Sequence, residues 1–255
     1  MSLSVTGALR DGVERTATPI GAGLLAVLLV ARLAAAVVVD TRLPTVAAAL
    51  NDLSGDQVLE PVRGPMAVDL PAAALTGLSL LAAIVTAAVV ALGFRAFAGD
   101  RHGRLPADAW DGLAWATLNV LVAQLVLGSL FGIGLALFVL PGIVVAVAFV
   151  FVPAAIAVDG HNALRAMVES WRTARGSWLR VLLVLVGIAV VGFTFNLSGT
   201  VLALLLFGEG IGVDVVGVLF GSLVVLYAIG TVASAFDQLR TVDDEFGDID
   251  DELLP

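Results

Sequence analysis

Residues 112–158 contain no charged side chain over 47 consecutive positions. As a single α-helix this segment would be roughly 70 Å long, at about 1.5 Å per residue. The hydrocarbon core of a bilayer is only about 30 Å thick. The segment therefore predicts two membrane-spanning helices folded against each other, and it places the chain among integral membrane proteins.

The composition agrees with a chain whose surroundings are mainly lipid. Hydrophobic residues make up 60% of the 255 residues and charged residues only 14%, against about 25% charged residues in soluble domains. The chain has no cysteine. This excludes disulfides, cysteine-ligated zinc, iron–sulfur clusters and thiol nucleophiles.

The charged residues are biased in kind as well as in number. All 13 basic residues are arginine, and 22 acidic residues bring the net charge to −9. An acidic chain without lysine is typical of a proteome adapted to high salt, as in halophilic archaea, where charge must keep proteins soluble despite strong screening. A GC-rich genome is the alternative source of the arginine bias, but it does not explain the acidic excess. The charge balance also argues against a nucleic-acid partner.

Hydrophobic segments predict an all-α bundle of six transmembrane helices. The uncharged segment divides best at Pro141-Gly142, because proline removes a backbone donor and glycine permits a turn; Gly132 and Gly134 mark an alternative division. The predicted spans are residues 18–39, 70–94, 113–140, 143–158, 181–207 and 215–236. We assign residues 1–236 to one transmembrane domain.

Arginines are distributed unequally between the two ends of this bundle. Six spans place both termini on one side, and that side carries Arg10, Arg15, Arg95, Arg101, Arg104, Arg165, Arg172, Arg175, Arg180 and Arg240. Only Arg42 and Arg63 fall on the opposite side. Because cytoplasmic loops carry the excess of basic residues, both termini are predicted to be cytoplasmic, with the protein in the cell membrane. The first span is expected to be retained as a signal-anchor, since it is too long for a cleaved signal peptide.

Two acidic segments lie outside the predicted spans. Residues 40–69 form the largest external segment, with five acidic residues, three prolines and a plausible short helix over residues 45–53. Residues 237–255 hold eight acidic residues and one arginine. Such a charge run predicts a disordered acidic cytoplasmic tail.

The segment between the fourth and fifth spans predicts an amphipathic helix over about residues 161–175. An apolar stripe repeats at the spacing of one helix face, formed by Leu164, Met167, Val168 and Trp171. The opposite face carries a predicted Arg165–Glu169 pair at i,i+4 spacing. We expect this helix to lie along the inner membrane surface. The candidate contacts with lipid headgroups and the interface are Arg165, Arg172, Arg175, Arg180, Trp171 and Trp178; alternatively, the arginines only set the topology.

Several short motifs resemble those of a broad group of polytopic membrane proteins. They are Pro141-Gly142-Ile143, Asp159-Gly160, Ala166, Ser170-Trp171, Thr173, Gly176 and Trp178, together with residues 8–13 and 95–119. The chain is similar here to uncharacterised haloarchaeal proteins related to the membrane domain of glycerophosphoryl diester phosphodiesterases. The resemblance implies a six-helix fold of unknown function. It does not imply phosphodiesterase activity, because that chemistry belongs to a separate soluble domain.

Arg32 lies well within a predicted span, and a charge in that position is a functional candidate. Counted from the cytoplasmic end, Arg32 lies in the outer half of its span, at a depth comparable to that of Asn196 and Asp214. We predict an Arg32–Asp214 pair assisted by Asn196, with Gln124 as a further residue lining a polar path. The alternatives are a purely structural pair between helices, or an arginine whose long stem reaches the outer surface.

Other features of the spans predict helix packing. Gly128–Gly132 and Gly217–Gly221 have the small-residue spacing that lets helix backbones approach closely. We interpret both as contacts within the chain rather than between copies. Asn119 and Gln124 lie on different faces of the third span, and one of them is expected to bond a neighbouring helix.

The sequence carries no known catalytic pattern. It has no HExxH, no GxSxG, no P-loop and no set of residues with metal-ligand spacing. We therefore predict a non-enzymatic protein without cofactor or metal. The first hypothesis is a scaffold or interaction protein in membrane or envelope homeostasis, with membrane lipids as partners and a membrane protein as a further candidate partner. The alternative is a small-solute or lipid permease, which convergence of the polar residues on one cavity would favour.

Overall fold

The computed structural model describes residues 3–55, 60, 62–99 and 105–252, with side chains as far as Arg240. These residues are helical apart from short connections, which confirms the predicted all-α class. The helices of this described part are α1 (Val5–Thr16), α2 (Pro19–Ser54), α3 (Ala72–Phe97), α4 (Leu113–Leu137), α5 (Val139–Phe149), α6 (Val152–Asp159), α7 (Ala163–Arg175), α8 (Trp178–Phe207) and α9 (Ile211–Glu252).

Six segments of the described residues are long and apolar enough to cross a membrane. They are α2, α3, α4, the combined segment Val139–Asp159, α8 and the part of α9 from Ile211 to Arg240. This confirms the predicted number and order of apolar spans. The chain thus has the architecture of a multi-pass membrane protein.

The bundle is packed more tightly at one end than at the other. The tight end holds both termini, α1 and α7, and we call it the terminal end; the opposite end, with residues 40–71 and 208–210, is the loop end. The fully buried aromatic side chains Phe97, Phe151 and Phe236 lie at the terminal end. In α9 the buried residues begin at Ser222, whereas residues 211–221 are exposed or half-buried. This helix is therefore more exposed towards the loop end.

The first helix is bonded to the last one at the terminal end. The Ser4 amide donates to Gln238 Oε1 at 2.8 Å, and the Ser234 hydroxyl donates to Asp11 Oδ2 at 2.7 Å. Arg15 forms a half-buried salt bridge with Asp237 at 2.7 Å. Asp237 and Gln238 are held in this way, and α9 runs past the predicted residue 236 to Glu252. The disorder of the acidic tail stays a prediction.

Helix α2 is longer than the predicted span of residues 18–39. It begins after the Thr18 side chain, which accepts from the Gly21 amide, and it runs through Pro44 to Ser54. The predicted separate helix over residues 45–53 is instead the end of α2. Gly55, whose φ of 74° suits glycine, ends it.

The uncharged segment is divided at Phe138, three residues before the predicted Pro141-Gly142 break. Pro141 lies in the first turn of α5, where its missing N–H is not needed by the helix. A proline clashes with the carbonyl four residues earlier, which here belongs to Leu137, the last residue of α4. At the alternative site, Gly134 packs against the backbone of Gly142, because a Cβ on Gly134 would lie 2.8 Å from the Gly142 nitrogen.

A second break separates α5 from α6, within the predicted span of residues 143–158. Pro153 in the first turn of α6 cannot donate to the carbonyl of Phe149. The buried hydroxyl of Ser170 bridges this break: it donates to the Ala148 carbonyl at 2.8 Å and accepts from the Phe151 amide at 3.2 Å.

The Ser170 bridge places α7 against the bundle. Small side chains face the protein, namely Ala163, Ala166, Ser170 and Ala174. Asn119 of α4 accepts from the Ala163 amide at 2.9 Å, and so it is the residue of the third span that bonds a neighbouring helix. Two residues of the apolar stripe point away from the protein, with Leu164 78% and Val168 61% exposed. The other two turn towards it, since Met167 packs against the core and Trp171 contacts Phe149. The position of α7 along a membrane surface stays a prediction.

The two GxxxG patterns differ in their surroundings. A Cβ on Gly128 or Gly132 would meet nothing within 4 Å, so this pair forms no close packing within the described part of the chain. Gly221 of the second pair, in contrast, lies next to side chains of α2 and α8. A Cβ on Gly217 would also meet nothing within 4 Å, so Gly221 is the one of these four glycines with close neighbours from other helices.

Replacing Ser170 with alanine tests the bridged break. The variant leaves the Ala148 carbonyl and the Phe151 amide without their partner, so we expect a loss of about 1–3 kcal/mol in the free energy of unfolding. Thermal unfolding in detergent measures it. Ser129→Ala is the matched control, because the exposed Ser129 hydroxyl bonds only the Leu125 carbonyl of its own helix. Equal effects of the two variants would contradict the bridging role.

Candidate functional site

A polar cleft lies between α2, α8 and α9 in the loose half of the bundle. Its volume is about 520 Å³. We use the name polar cleft for the space lined by Arg32, Ala35, Ala36, Val39, Asp40, Met66, Asn196, Thr200, Val213, Asp214, Gly217, Val218 and Gly221. Three helices thus bring charged and polar side chains to one space.

Arg32 reaches into the cleft beside Gly221. A Cβ on Gly221 would lie 3.2 Å from the Arg32 Nη2 atom and 3.8 Å from Asn196 Oδ1. A glycine at this position therefore leaves the room that the guanidinium occupies. Arg32 forms no salt bridge or hydrogen bond with any described residue, so its donors point into the cleft without a protein acceptor.

Asn196 and Thr200 form the α8 wall of the cleft. The Asn196 amide nitrogen donates to the Gly192 carbonyl of its own helix at 2.9 Å. This bond fixes the side chain and turns Oδ1 towards Gly221 and Arg32. Thr200 follows four residues later, on the same face of the helix.

Asp214 supplies a carboxylate from the first turn of α9. An acidic residue is favoured there, because the N-terminal end of a helix carries partial positive charge. Its Oδ2 atom is buried and has no hydrogen-bond partner among the described residues. A buried polar atom without a partner is rare in a native protein and calls for an explanation.

Asp40 is the second carboxylate of the cleft, and it also holds the connection after α2. Its Oδ2 accepts from the Met66 amide at 2.9 Å, and the neighbouring Thr41 hydroxyl accepts from the Val68 amide at 3.0 Å. Pro44 cannot donate to the Asp40 carbonyl, and the Gly64 amide approaches that carbonyl at 3.4 Å instead. Residues 62–68 are thus held over the cleft, with Met66 as part of its lining.

The structure brings together three of the four predicted polar residues. Arg32, Asn196 and Asp214 line the same cleft, but no salt bridge joins Arg32 to Asp214 in the described part of the chain. The predicted direct pair is therefore replaced by two separate charges facing one space. Gln124 lies elsewhere, on the exposed face of α4.

Two polar residues of the cleft, Asp40 and Thr200, were not among the predicted ones. Asp40 was assigned to the external segment, and Thr200 was not considered. Both carry a signal in the sequence, since Asp40 lies eight residues after Arg32, and Thr200 four residues after Asn196, on the same helix faces. Considering the helix face of each residue together with its depth in the span identifies both residues.

The predicted interface residues of α7 and the start of α8 are spread over an exposed surface. Arg165, Arg172, Arg175 and Arg180 are all exposed. The predicted Arg165–Glu169 pair is not formed, because Glu169 pairs instead with Arg172 at 3.8 Å, one turn in the other direction. Trp171 and Trp178 are in edge-to-face contact, with ring centroids 5.7 Å apart.

Comparison with known families assigns the chain to a family but does not assign it an activity. Residues 3–242 match the family described as "Domain of unknown function (DUF7847)". The match covers nearly the whole chain, and the chain therefore belongs to this family. No curated protein and no solved structure gives a significant match.

Replacing Asp40 with alanine tests how residues 62–68 are held. The variant removes the acceptor of the Met66 amide, so we expect trypsin to cleave after Arg63 faster, by about tenfold for a loss of about 1.4 kcal/mol. Asp69→Ala is the control. It removes only the exposed Arg63–Asp69 salt bridge, which contributes little. Equal cleavage rates in wild type and Asp40→Ala would show that Asp40 does not hold this segment.

Proposed function

We propose that this multi-pass membrane protein binds a polar or charged ligand in the cleft and acts as a small-solute or lipid permease. The observation that carries the proposal is the presence of an unpaired Arg32 and a buried, unpartnered Asp214 oxygen in one cleft. Charged groups within spans are costly, and they mark substrate pathways when they face a cavity. A ligand would supply the missing partners.

The chemistry of the lining suggests a ligand with both an acceptor and a donor end. Arg32 offers a planar fork of donors, which matches a carboxylate or phosphate. Asp214, Asn196 and Thr200 offer acceptors. Because Asp40 already accepts from the Met66 amide, Asp214 is the carboxylate left for a ligand.

We propose that the cleft opens to the outside of the cell. The support is the distribution of arginines, ten of which belong to the terminal side of the predicted topology. Cytoplasmic segments carry such an excess. The loop end, including residues 62–68 above the cleft, would then be external, and both termini would be cytoplasmic.

We propose binding and translocation rather than catalysis. The two carboxylates that line the cleft have different tasks, since Asp40 holds the connection after α2. An acid–base pair needs two carboxylates that are both free to exchange protons with a substrate. The proposal includes no cofactor, no metal and no nucleic-acid partner.

A scaffold or interaction protein in membrane or envelope homeostasis is the second candidate. Its support is α7, which turns Leu164 and Val168 away from the bundle while Ser170 attaches the helix to it. Such a helix suits lipid headgroups or a membrane protein partner at the terminal end. A stoichiometric protein partner, retained on gentle extraction and lost in Leu164→Glu, would favour this candidate.

The proposed orientation can be tested with single cysteines, because the natural chain has none. We expect Ser54→Cys to react with a membrane-impermeant maleimide on intact cells, and Glu169→Cys to react only after lysis. Both parent residues lie outside the apolar cores of the spans. The reverse pattern would overturn the orientation but leave the cleft itself intact.

Arg32→Leu tests the ligand site. In purified protein we expect at least one of a panel of small anions, cations and zwitterions to raise the Tm, and Arg32→Leu to weaken its binding about tenfold to a hundredfold, the range for a charge-assisted hydrogen bond. Arg32→Lys should keep part of the effect. Arg42→Leu is the control, since Arg42 on the same helix bonds Thr76 outside the cleft. Equal binding by Arg32→Leu and wild type would refute the site.

A further inference from the structure

A second cavity lies in the same helix interface, nearer the terminal end. Its volume is about 570 Å³. Apolar side chains dominate its walls, among them Ala22 and Leu25 of α2, Val191 and Phe195 of α8, and Leu223 of α9. We call it the apolar cavity.

The polar cleft and the apolar cavity follow each other along the same three helices. On α2 the lining passes from Ala22 and Leu25 to Arg32, and on α8 it passes from Phe195 directly to Asn196. Both α2 and α8 pack against α9 but hardly touch each other. The interface is therefore open between α2 and α8. The polar cleft lies in it towards the loop end, and the apolar cavity lies towards the terminal end.

From this arrangement we propose that the ligand is an amphiphile, namely a phospholipid of the surrounding bilayer. Its headgroup lies in the polar cleft, and one of its chains lies in the apolar cavity. The Arg32 fork binds the phosphate, and Asp214 accepts from an amine or hydroxyl of the headgroup. The inference deepens the proposed function and rests on it.

The dimensions of the interface agree with a lipid. Ala22 and Arg32 are ten residues apart, which is about 15 Å along a helix and about half the thickness of a hydrocarbon core. One leaflet's acyl chain therefore spans the distance from the Arg32 level to the apolar cavity. A small solute would satisfy Arg32 and Asp214 but would leave the apolar cavity without a role.

The depth of Arg32 gives the bound lipid a distinctive position. Arg32 lies 13 residues after Pro19, roughly 20 Å into a core of about 30 Å. The phosphate on Arg32 therefore lies about 10 Å deeper than the headgroups of free lipids at the loop end. The site draws a lipid out of its leaflet, as a lipid permease must.

Native mass spectrometry of the full chain from nanodiscs tests the inference. The nanodiscs contain equal amounts of phosphatidylethanolamine and phosphatidylglycerol. We expect one retained phospholipid, with occupancy reduced about tenfold or more both in Arg32→Leu, which removes the headgroup contact, and in Ala22→Phe, which fills the apolar cavity. Arg42→Leu and Ala26→Phe are the matched controls, because they change the same helix outside both spaces.

A second measurement separates the inference from the proposed function. Phosphoethanolamine, a headgroup without chains, is added to each variant, and its effect on the Tm is recorded. Stabilisation that depends on Arg32 but not on Ala22, with no retained lipid, would overturn the lipid and keep the ligand site. If neither lipid retention nor the Tm shift with phosphoethanolamine depends on Arg32, the lipid proposal fails, and if no ligand of the panel depends on Arg32 either, the proposed function fails with it. If Arg32→Leu does not fold, Ala22→Phe and Arg32→Lys still test the lipid proposal. A bound lipid requires both spaces and the guanidinium fork, so each of these two variants is expected to lower the lipid occupancy.

Discussion

Every backbone carbonyl and amide that proline frees inside this apolar chain needs another partner, because lipid offers none. At the break before α6, where Pro153 leaves the Phe149 carbonyl without its helical donor, Ser170 bonds the neighbouring Ala148 carbonyl and Phe151 amide, and these bonds attach α7 to the bundle. Near Pro44, the Gly64 amide approaches the Asp40 carbonyl, and this contact helps to hold residues 62–68 over α2. The course of the chain at both ends of the bundle thus follows from satisfying backbone groups in a medium without water.

In the polar cleft, by contrast, charged groups have no partner within the described protein, and for this reason the cleft is the candidate site. Elsewhere in the described bundle, the buried His161 Nδ1 and Thr231 Oγ1 atoms also lack a partner, but neither residue lines the cleft, whereas Asn119 and Ser170 complete their bonds within the protein. Arg32 and the Asp214 Oδ2 atom do not. Their cost is lowest in the loosely packed half, where the cleft admits water or a ligand, and tight packing around Phe97, Phe151 and Phe236 maintains the bundle from the other end.

Hydropathy predicted the number and order of the spans, because each needs a long apolar segment whatever its neighbours are. Counting depth from the cytoplasmic end also predicted that Arg32, Asn196 and Asp214 meet, but it could not give the direction of Gln124 around its helix. The break at Phe138 was placed too late, since a proline disturbs the carbonyl four residues before it. Where α2 continues through Pro44, the amide that approaches the Asp40 carbonyl belongs to Gly64, which is distant in sequence and not predictable from local patterns.

The bonds between α1 and α9 have a consequence for how the chain folds. Ser234 and Asp11 are 223 positions apart, so α1 can form this bond only after α9 has been synthesised. Contacts of such long range form late, because a large loop must close first. Until α9 is present α1 lacks these bonds, so the terminal end can be completed only after the sixth apolar segment has been made.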